Sequence, residues 1–233
     1  MTLWRLEWLR LLRTKRLAAL IGVYVFFGVI GPVIARYLGE IVERFGGGDV
    51  TIEFPDPVPA DGFAQFVSNA SQVGVLVAVA VAAGALTIDA LPEMSIFLRT
   101  RVRAASRIVL PRFVVSVAAI GGAYLLGLLA AWYETVVLLG GVPIGGLVAG
   151  LVYGVLYLAF AVAVVAAIGS RLRSVIGTVG LSVVVLLVTP IVGVVDAIGR
   201  WLPSHLVSAQ VALAQDAAIT DYLGAAAVTV LAI

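Results

Sequence analysis

The sequence predicts an all-α integral membrane protein with six transmembrane helices. Its composition is 62% hydrophobic and 12% charged, whereas soluble domains are about half apolar and about a quarter charged. Five apolar runs have 22 or more residues, enough for a helix to cross the hydrocarbon layer. These runs are continuously apolar rather than alternating, which indicates helices rather than the strands of a barrel. A soluble domain is strongly disfavoured because it would expose large apolar patches.

The apolar runs give the predicted spans in chain order. A sixth run starts near Tyr222 and has only 12 residues before Ile233, or about 18 Å of helix, which is too short to cross the membrane. We therefore expect the given sequence to lack the end of this helix. The predicted spans cover about 17–38, 66–90, 108–132, 142–168, 175–198 and 222–233.

The basic residues predict the orientation. With the N-terminus inside, 12 of the 15 arginine and lysine residues fall in inner segments and 10 of the 13 acidic residues lie outside or near the outer boundary. Positive residues concentrate in cytoplasmic segments, so both termini are predicted to be cytoplasmic. The first run is too long for a signal peptide, and no small-residue cleavage site follows it.

The N-terminal stretch 2–16 predicts a helix that lies in the inner membrane interface. Arg10 and Arg13 lie on one face of this helix, and tryptophan and arginine both favour that interface. The other face repeats large apolar residues at i, i+4, i+7 and i+8, namely Trp4, Trp8, Leu11 and Leu12.

Two outer segments separate the spans. The first, about 39–65, is acidic and rich in glycine and proline, which predicts a solvated loop, with a cation site as the alternative. The second, 199–221, is too polar to span and too apolar for a plain loop, so we predict a short interfacial helix or re-entrant segment before span six. His205, in this segment, is predicted to be a surface residue.

Several classes of chemistry are excluded by residue counts. The chain has no cysteine and one histidine, so it has no thiolate zinc site, iron–sulfur cluster or multi-histidine site. Its only lysine, Lys15, follows no glycine-rich loop, so the chain is not a standard P-loop ATPase. Span four carries Gly146, Gly150 and Gly154 at four-residue spacing, which indicates close helix packing with an unspecified partner.

The layout resembles the permease subunit of an ABC-2 type transporter. Residues Glu93-Met94-Ser95-Ile96-Phe97-Leu98 follow span two, and Ala105-Ser106-Arg107 opens span three, with Arg112 five residues later. This is similar to the family's acidic residue, Gly-Thr-Leu and Pro-Val-Ser-Arg pattern, with Ala104 where proline is usual. The resemblance implies that 1–233 is one permease domain in a cytoplasmic membrane. Arginine outnumbers lysine 14 to 1, which indicates the codon usage of a GC-rich prokaryote.

The resemblance implies a cytoplasmic coupling helix between spans two and three, at about 91–106. That helix would dock onto a separate ATP-binding subunit, present in two copies, which holds the ATP and Mg²⁺; this chain would hold no cofactor. A second permease, identical or related, and membrane lipid are the other implied partners, with no nucleic acid. The implied activity is export of an unidentified substrate. The implied coupling residues are Glu93, Ser95, Ile96, Leu98, Arg99, Arg101, Arg103 and Arg107.

Three alternative functions remain open from the sequence. A secondary carrier or channel is disfavoured because ion-coupled carriers place ionisable groups near the midplane and none is evident here. A scaffold without transport activity would use the basic loop only to set orientation. An intramembrane enzyme acting on lipid would need paired polar residues at one depth, which the sequence does not show.

Overall fold

The computed structural model of the protein describes residues 3–45, 56–90, 104, 106–141, 144–215 and 217–233. These residues form helices and turns without a strand. Five of the helical segments are long and apolar enough to cross a membrane, in agreement with an all-α, multi-pass membrane protein.

The helices are numbered in chain order. A π-helical turn, Ala70–Gly74, joins α3 to α4, and 3₁₀ turns cover Ile88–Ala90 and Ile219–Tyr222. The α-helices are α1 Leu3–Arg13, α2 Arg16–Phe45, α3 Pro59–Asn69, α4 Val75–Leu86, α5 Ser106–Leu138, α6 Ile144–Gly169, α7 Val175–Val192, α8 Asp196–Gly199, α9 His205–Ala214 and α10 Leu223–Ala232.

Helix α2 is longer than the apolar run that predicts it. The predicted span ends at Leu38, where hydropathy falls, but the helix continues to Phe45. Residues 40–45 include the good helix formers Glu40, Glu43 and Arg44, which outweigh the single Gly39, and the first run of consecutive glycines comes at 46–48. The 30 residues make a rod of about 45 Å, which exceeds the hydrocarbon thickness of about 30 Å.

The second predicted span also starts earlier than its apolar run. Pro59 occupies the first turn of α3, where its missing N–H costs no hydrogen bond. The Asp61 carboxylate accepts a hydrogen bond from the backbone N–H of Val58 at 2.9 Å and so caps the helix. The predicted outer loop 39–65 therefore contains helix at both of its ends.

Helix α7 ends before its predicted boundary at 198. Ser174 caps its N-terminus by accepting a hydrogen bond from the Gly177 N–H at 3.2 Å. The helix ends at Val192, followed by Gly193 at the C-cap, although the apolar run continues. Pro190 lies in the last turn and cannot donate a backbone hydrogen bond there.

Helices α2 and α5 cross at a pair of glycines. A Cβ placed on Gly28 would overlap the carbonyl oxygen of Gly127, and one placed on Gly127 would come within 2.6 Å of the carbonyl oxygen of Tyr24. The two backbones are therefore in direct contact, which only small residues permit.

The short helix α9 packs along α6 in antiparallel orientation. A Cβ on Gly146 would overlap the Leu213 carbonyl oxygen, and Gly150 and Gly154 both face Gln210. Leu206, Ala209 and Leu213, the apolar inner side of α9, are at most 3% exposed. The partner of the glycine repeat in span four is thus the short helix of the predicted outer segment.

Candidate functional site: an ionic joint at the arginine end

One end of the bundle gathers basic side chains from several helices. It contains α1, the C-terminus of α4, the N-terminus of α5 and the turn after α6, and we refer to it as the arginine end. The α6 terminus belongs here because Gly169 lies beside Thr87 and Leu86. Arg171 and Arg173, in the turn that follows, are exposed.

Glu7 of α1 lies at the centre of this end and is shared by two arginines. Its Oε1 is 3.0 Å from Arg112 Nε of α5, and its Oε2 is 3.3 Å from Arg10 Nε, one turn along α1. The side chain of Glu7 is only 9% exposed, while those of Arg112 and Arg10 are 14% and 28% exposed. The ion pair between Glu7 and Arg112 therefore joins α1 to α5 where little water competes.

The same two arginines also bind the C-terminal end of α4. Arg10 Nη1 donates to the Gly84 carbonyl oxygen at 3.1 Å, and Arg112 Nη1 donates to the Ala85 carbonyl oxygen at 3.0 Å. The last carbonyls of a helix lack intrahelical donors and carry the negative end of the helix dipole. Positive groups are stabilised there, so α4 is tied to both α1 and α5.

The Glu7 joint is the name we use for Glu7, Arg10, Arg112 and the carbonyls of Gly84 and Ala85. A third guanidinium, that of Arg16 at the start of α2, lies against Gly84. Its Nη1 is buried and has no hydrogen-bond acceptor among the described residues. The joint therefore connects α1, α4 and α5, and the start of α2 lies beside it.

The electrostatics of Arg10 reflect this crowding. Burial lowers the pKa of the Arg10 guanidinium, Glu7 opposes this by raising it, and the nearby Arg112 and Arg16 lower it further. Glu7 is therefore needed to offset the mutual repulsion of the arginines, because a buried charge without a partner is costly.

The turn between α1 and α2 separates the surface helix from the first long helix. Lys15 adopts φ 56°, a left-handed conformation typical of the residue that follows a helix C-terminus. Thr14 Oγ1 donates to the Arg10 carbonyl oxygen at 2.7 Å and satisfies one of the last carbonyls of α1. The chain can therefore change direction at residues 14–15, and α1 packs on α5 as well as on α2.

The predicted interfacial residues divide between two environments. Trp4 and Trp8 are 42% and 39% exposed, so part of each side chain is free to contact a membrane interface. Arg13 is exposed, whereas Arg10 is part of the Glu7 joint. Leu11, predicted on the tryptophan face, is 1% exposed and packs into the protein.

Of the predicted coupling residues, one lies within the described chain. Arg107 is exposed in the first turn of α5, one and a half turns before Arg112. The other predicted coupling residues, Glu93, Ser95, Ile96, Leu98, Arg99, Arg101 and Arg103, lie outside the described residues.

Sequence reasoning did not identify Glu7 as a site residue. The available signal was its position as the only acidic residue in the basic stretch 2–16, since a lone acid among arginines favours an ion pair. The sequence could not show that its main partner is Arg112, which is 105 positions away.

The joint contains neither metal ligands nor catalytic groups in a reactive arrangement. No group of three or more acidic, histidine or cysteine side chains that could hold a metal occurs in the described part of the chain. What the arrangement provides is a mechanical connection between a surface helix and the ends of α4 and α5. No protein-family model, curated protein or solved structure matches this chain.

Proposed function

We propose that this chain is the membrane-spanning permease subunit of an ATP-driven exporter of the ABC-2 type. The five long apolar helices support a membrane-embedded role. The lack of a P-loop lysine means that ATP hydrolysis would be carried out by a separate subunit. Two copies of that ATPase and a second permease, identical or related, would complete the transporter.

The observation that carries the proposal is the position of the Glu7 joint along the chain. Helix α4 ends at Leu86 and α5 begins at Ser106, and the predicted coupling segment 91–106 connects them. A displacement of that segment would act directly on the two helix ends that the joint ties together and on α1. This is the connection that an external motor subunit needs in order to move membrane helices.

The proposed orientation puts the arginine end in the cytoplasm. Arg107, Arg171 and Arg173 are exposed at this end, and basic residues concentrate on the cytoplasmic side of membrane proteins. The exposed Trp4 and Trp8 rings of α1 would then contact the inner leaflet, whose anionic lipids attract the neighbouring arginines.

A secondary carrier or channel is less well supported. Ion-coupled carriers rely on ionisable side chains near the bilayer midplane. The central stretches of the five long helices contain no aspartate, glutamate, lysine, arginine or histidine; they cover 17–35, 62–86, 113–133, 144–169 and 175–192.

Affinity purification from native membranes tests the proposal. We expect a P-loop ATPase to copurify in stoichiometric amount, and its hydrolysis rate in vesicles to depend on this chain. Copurification of this chain without any ATPase, even after crosslinking in membranes, would contradict the proposal.

A charge-reversal variant tests the coupling segment itself. Replacing Arg99, Arg101, Arg103 and Arg107 with glutamate should abolish the stimulated ATPase activity while the chain still inserts and assembles. The matched control is Arg171→Glu with Arg173→Glu, which reverses exposed charges at the same end outside the segment. Full stimulation in the segment variant, or equal loss in the control, would refute a specific coupling role.

A further inference from the structure

A small cavity lies inside the bundle, between α2, α5, α6, α9 and the second long helix, which consists of α3, the π-helical turn and α4. Most of its wall is apolar, and its lining includes four residues with large hydrogen-bonding side chains: Tyr24 of α2, Tyr124 of α5, Tyr157 of α6 and Gln210 of α9. It is partly open and leaves room for about one water molecule.

The hydroxyl of Tyr24 has an unmet hydrogen-bonding capacity. Tyr24 is 0% exposed, and its Oη has no hydrogen-bond partner among the described residues. Leaving a buried hydroxyl without a partner costs about 1 to 3 kcal/mol. Native proteins avoid this cost by pairing such groups with protein atoms or with a bound molecule.

The surrounding polar groups can share one small guest. The Tyr124 hydroxyl donates to Gln210 Oε1, which fixes the orientation of the Gln210 amide. Gln210 Nε2 and the Tyr124 hydroxyl then lie against Gly154, where a side chain would overlap both. Tyr24, Tyr157 and Gln210, which all line the cavity, thus carry both donors and acceptors.

The backbone beside the cavity is irregular. The π-helical turn Ala70–Gly74 interrupts the second long helix beside the cavity, and such turns occur frequently at functional sites. Within it, Gly74 packs on the Tyr24 ring so closely that a Cβ would come within 2.6 Å of a ring carbon. The turn therefore fixes the position of the ring whose hydroxyl is unpartnered.

The chemistry of the lining selects a neutral guest. Among the lining residues none carries a formal charge, and an ion in such an apolar surrounding would lack a counter-charge. We propose that this cavity binds one neutral hydroxyl group, supplied either by a water molecule or by the head of an alcohol-bearing amphiphile that enters through the open side. The inference concerns this chain alone and does not depend on an ATPase partner.

The first test asks whether Tyr24→Phe raises or lowers the thermal stability of the protein. In the purified chain in detergent, Tyr24→Phe removes only the hydroxyl oxygen and preserves the ring. If a guest is bound, this change should lower the thermal unfolding midpoint by about 2 to 4 °C because a hydrogen bond is lost. The matched control is Tyr133→Phe on α5, where the residue is 62% exposed, and it should leave the midpoint unchanged.

If the cavity is empty, the thermal unfolding midpoint of Tyr24→Phe should change in the opposite direction. Removing an unpartnered buried hydroxyl relieves its desolvation cost, so Tyr24→Phe would then raise the midpoint or leave it equal to the control. Either result would overturn the proposal. Combining Tyr24→Phe with Tyr157→Phe gives a second measurement, since two side chains that share one guest should show clearly non-additive shifts. Additive shifts would also count against a shared guest.

A photoreactive probe distinguishes the two sources of the hydroxyl. A diazirine derivative of 1-octanol is compared with the same diazirine lacking the hydroxyl. If the guest is an amphiphile head, the alcohol should label the cavity residues at least five times more in the wild type than in Tyr24→Phe, and the hydroxyl-free probe should label both equally. A lowered midpoint in Tyr24→Phe without alcohol-dependent labelling assigns the site to water.

Discussion

Glu7→Gln should release α1 from the bundle without changing the shape of the side chain. The change removes the charge that pairs with Arg112 at 3.0 Å and with Arg10 at 3.3 Å. While α1 is docked, both guanidinium groups can still donate to the end of α4, so the main loss in the docked state is electrostatic.

The size of the expected loss in α1 docking free energy follows from the burial of Glu7 and from its distances to the two arginines. Opposite charges about 4 Å apart interact by about 4 kcal/mol at the effective dielectric constant of a protein surface. The net loss of stability is smaller than this interaction energy, because the glutamine variant no longer has the desolvation cost of a buried carboxylate. Removing one member of a buried pair costs about 3 to 5 kcal/mol, and the partial exposure of Arg10, at 28%, favours the lower figure. A loss of about 3 kcal/mol corresponds to about a hundredfold increase in the undocked population.

Hydrogen–deuterium exchange of the α1 amides measures this population. An isolated helix of 11 residues is marginal in water, so undocking should expose its backbone to exchange. Local exchange rates report the free energy of such openings. We expect peptides from 3–13 to exchange about a hundredfold faster in Glu7→Gln, with exchange in α6 unchanged.

The matched control is Glu40→Gln, which removes an exposed acid from α2. It should leave the α1 exchange rates as they are in the wild type. Rates within about threefold of the wild type in Glu7→Gln would refute the reasoning, because they would mean that the Glu7 joint does not hold α1 in place.

Two further predictions concern the glycine contacts between helices. Gly28→Ala forces a Cβ into the backbone of α5 and should destabilise the chain by about 1 to 3 kcal/mol; Gly22→Ala on the same helix meets no atom within 4 Å and should be neutral or slightly stabilising, as thermal unfolding would show. Gly146→Ala should loosen α9 and speed hydrogen exchange of its amides by about tenfold or more, whereas Gly145→Ala, which faces open space, should not. Equal effects of the paired variants would contradict the packing described.

Hydropathy located the long helices well because each apolar run must satisfy its own backbone hydrogen bonds. The five long helices coincide with the first five predicted spans. The boundaries differ where local chemistry outweighs hydropathy. The Asp61 cap and Pro59 start α3 seven residues before Phe66, and Pro190 with Gly193 ends α7 early. These capping and helix-breaking residues are visible in the sequence, but a hydropathy average over a window of residues does not take them into account.

The sequence by itself determined the membrane class, the helical architecture and the uneven distribution of arginine, since each follows from composition and local order. It also identified Gly146, Gly150 and Gly154 as a packing surface, yet it could not show that α9 packs there. Only the tertiary structure brought Glu7 to Arg112 and Tyr24 to the cavity shared with Gln210. The physical reason is that these contacts depend on how distant helices cross, and one helix's periodicity carries no information about its partner.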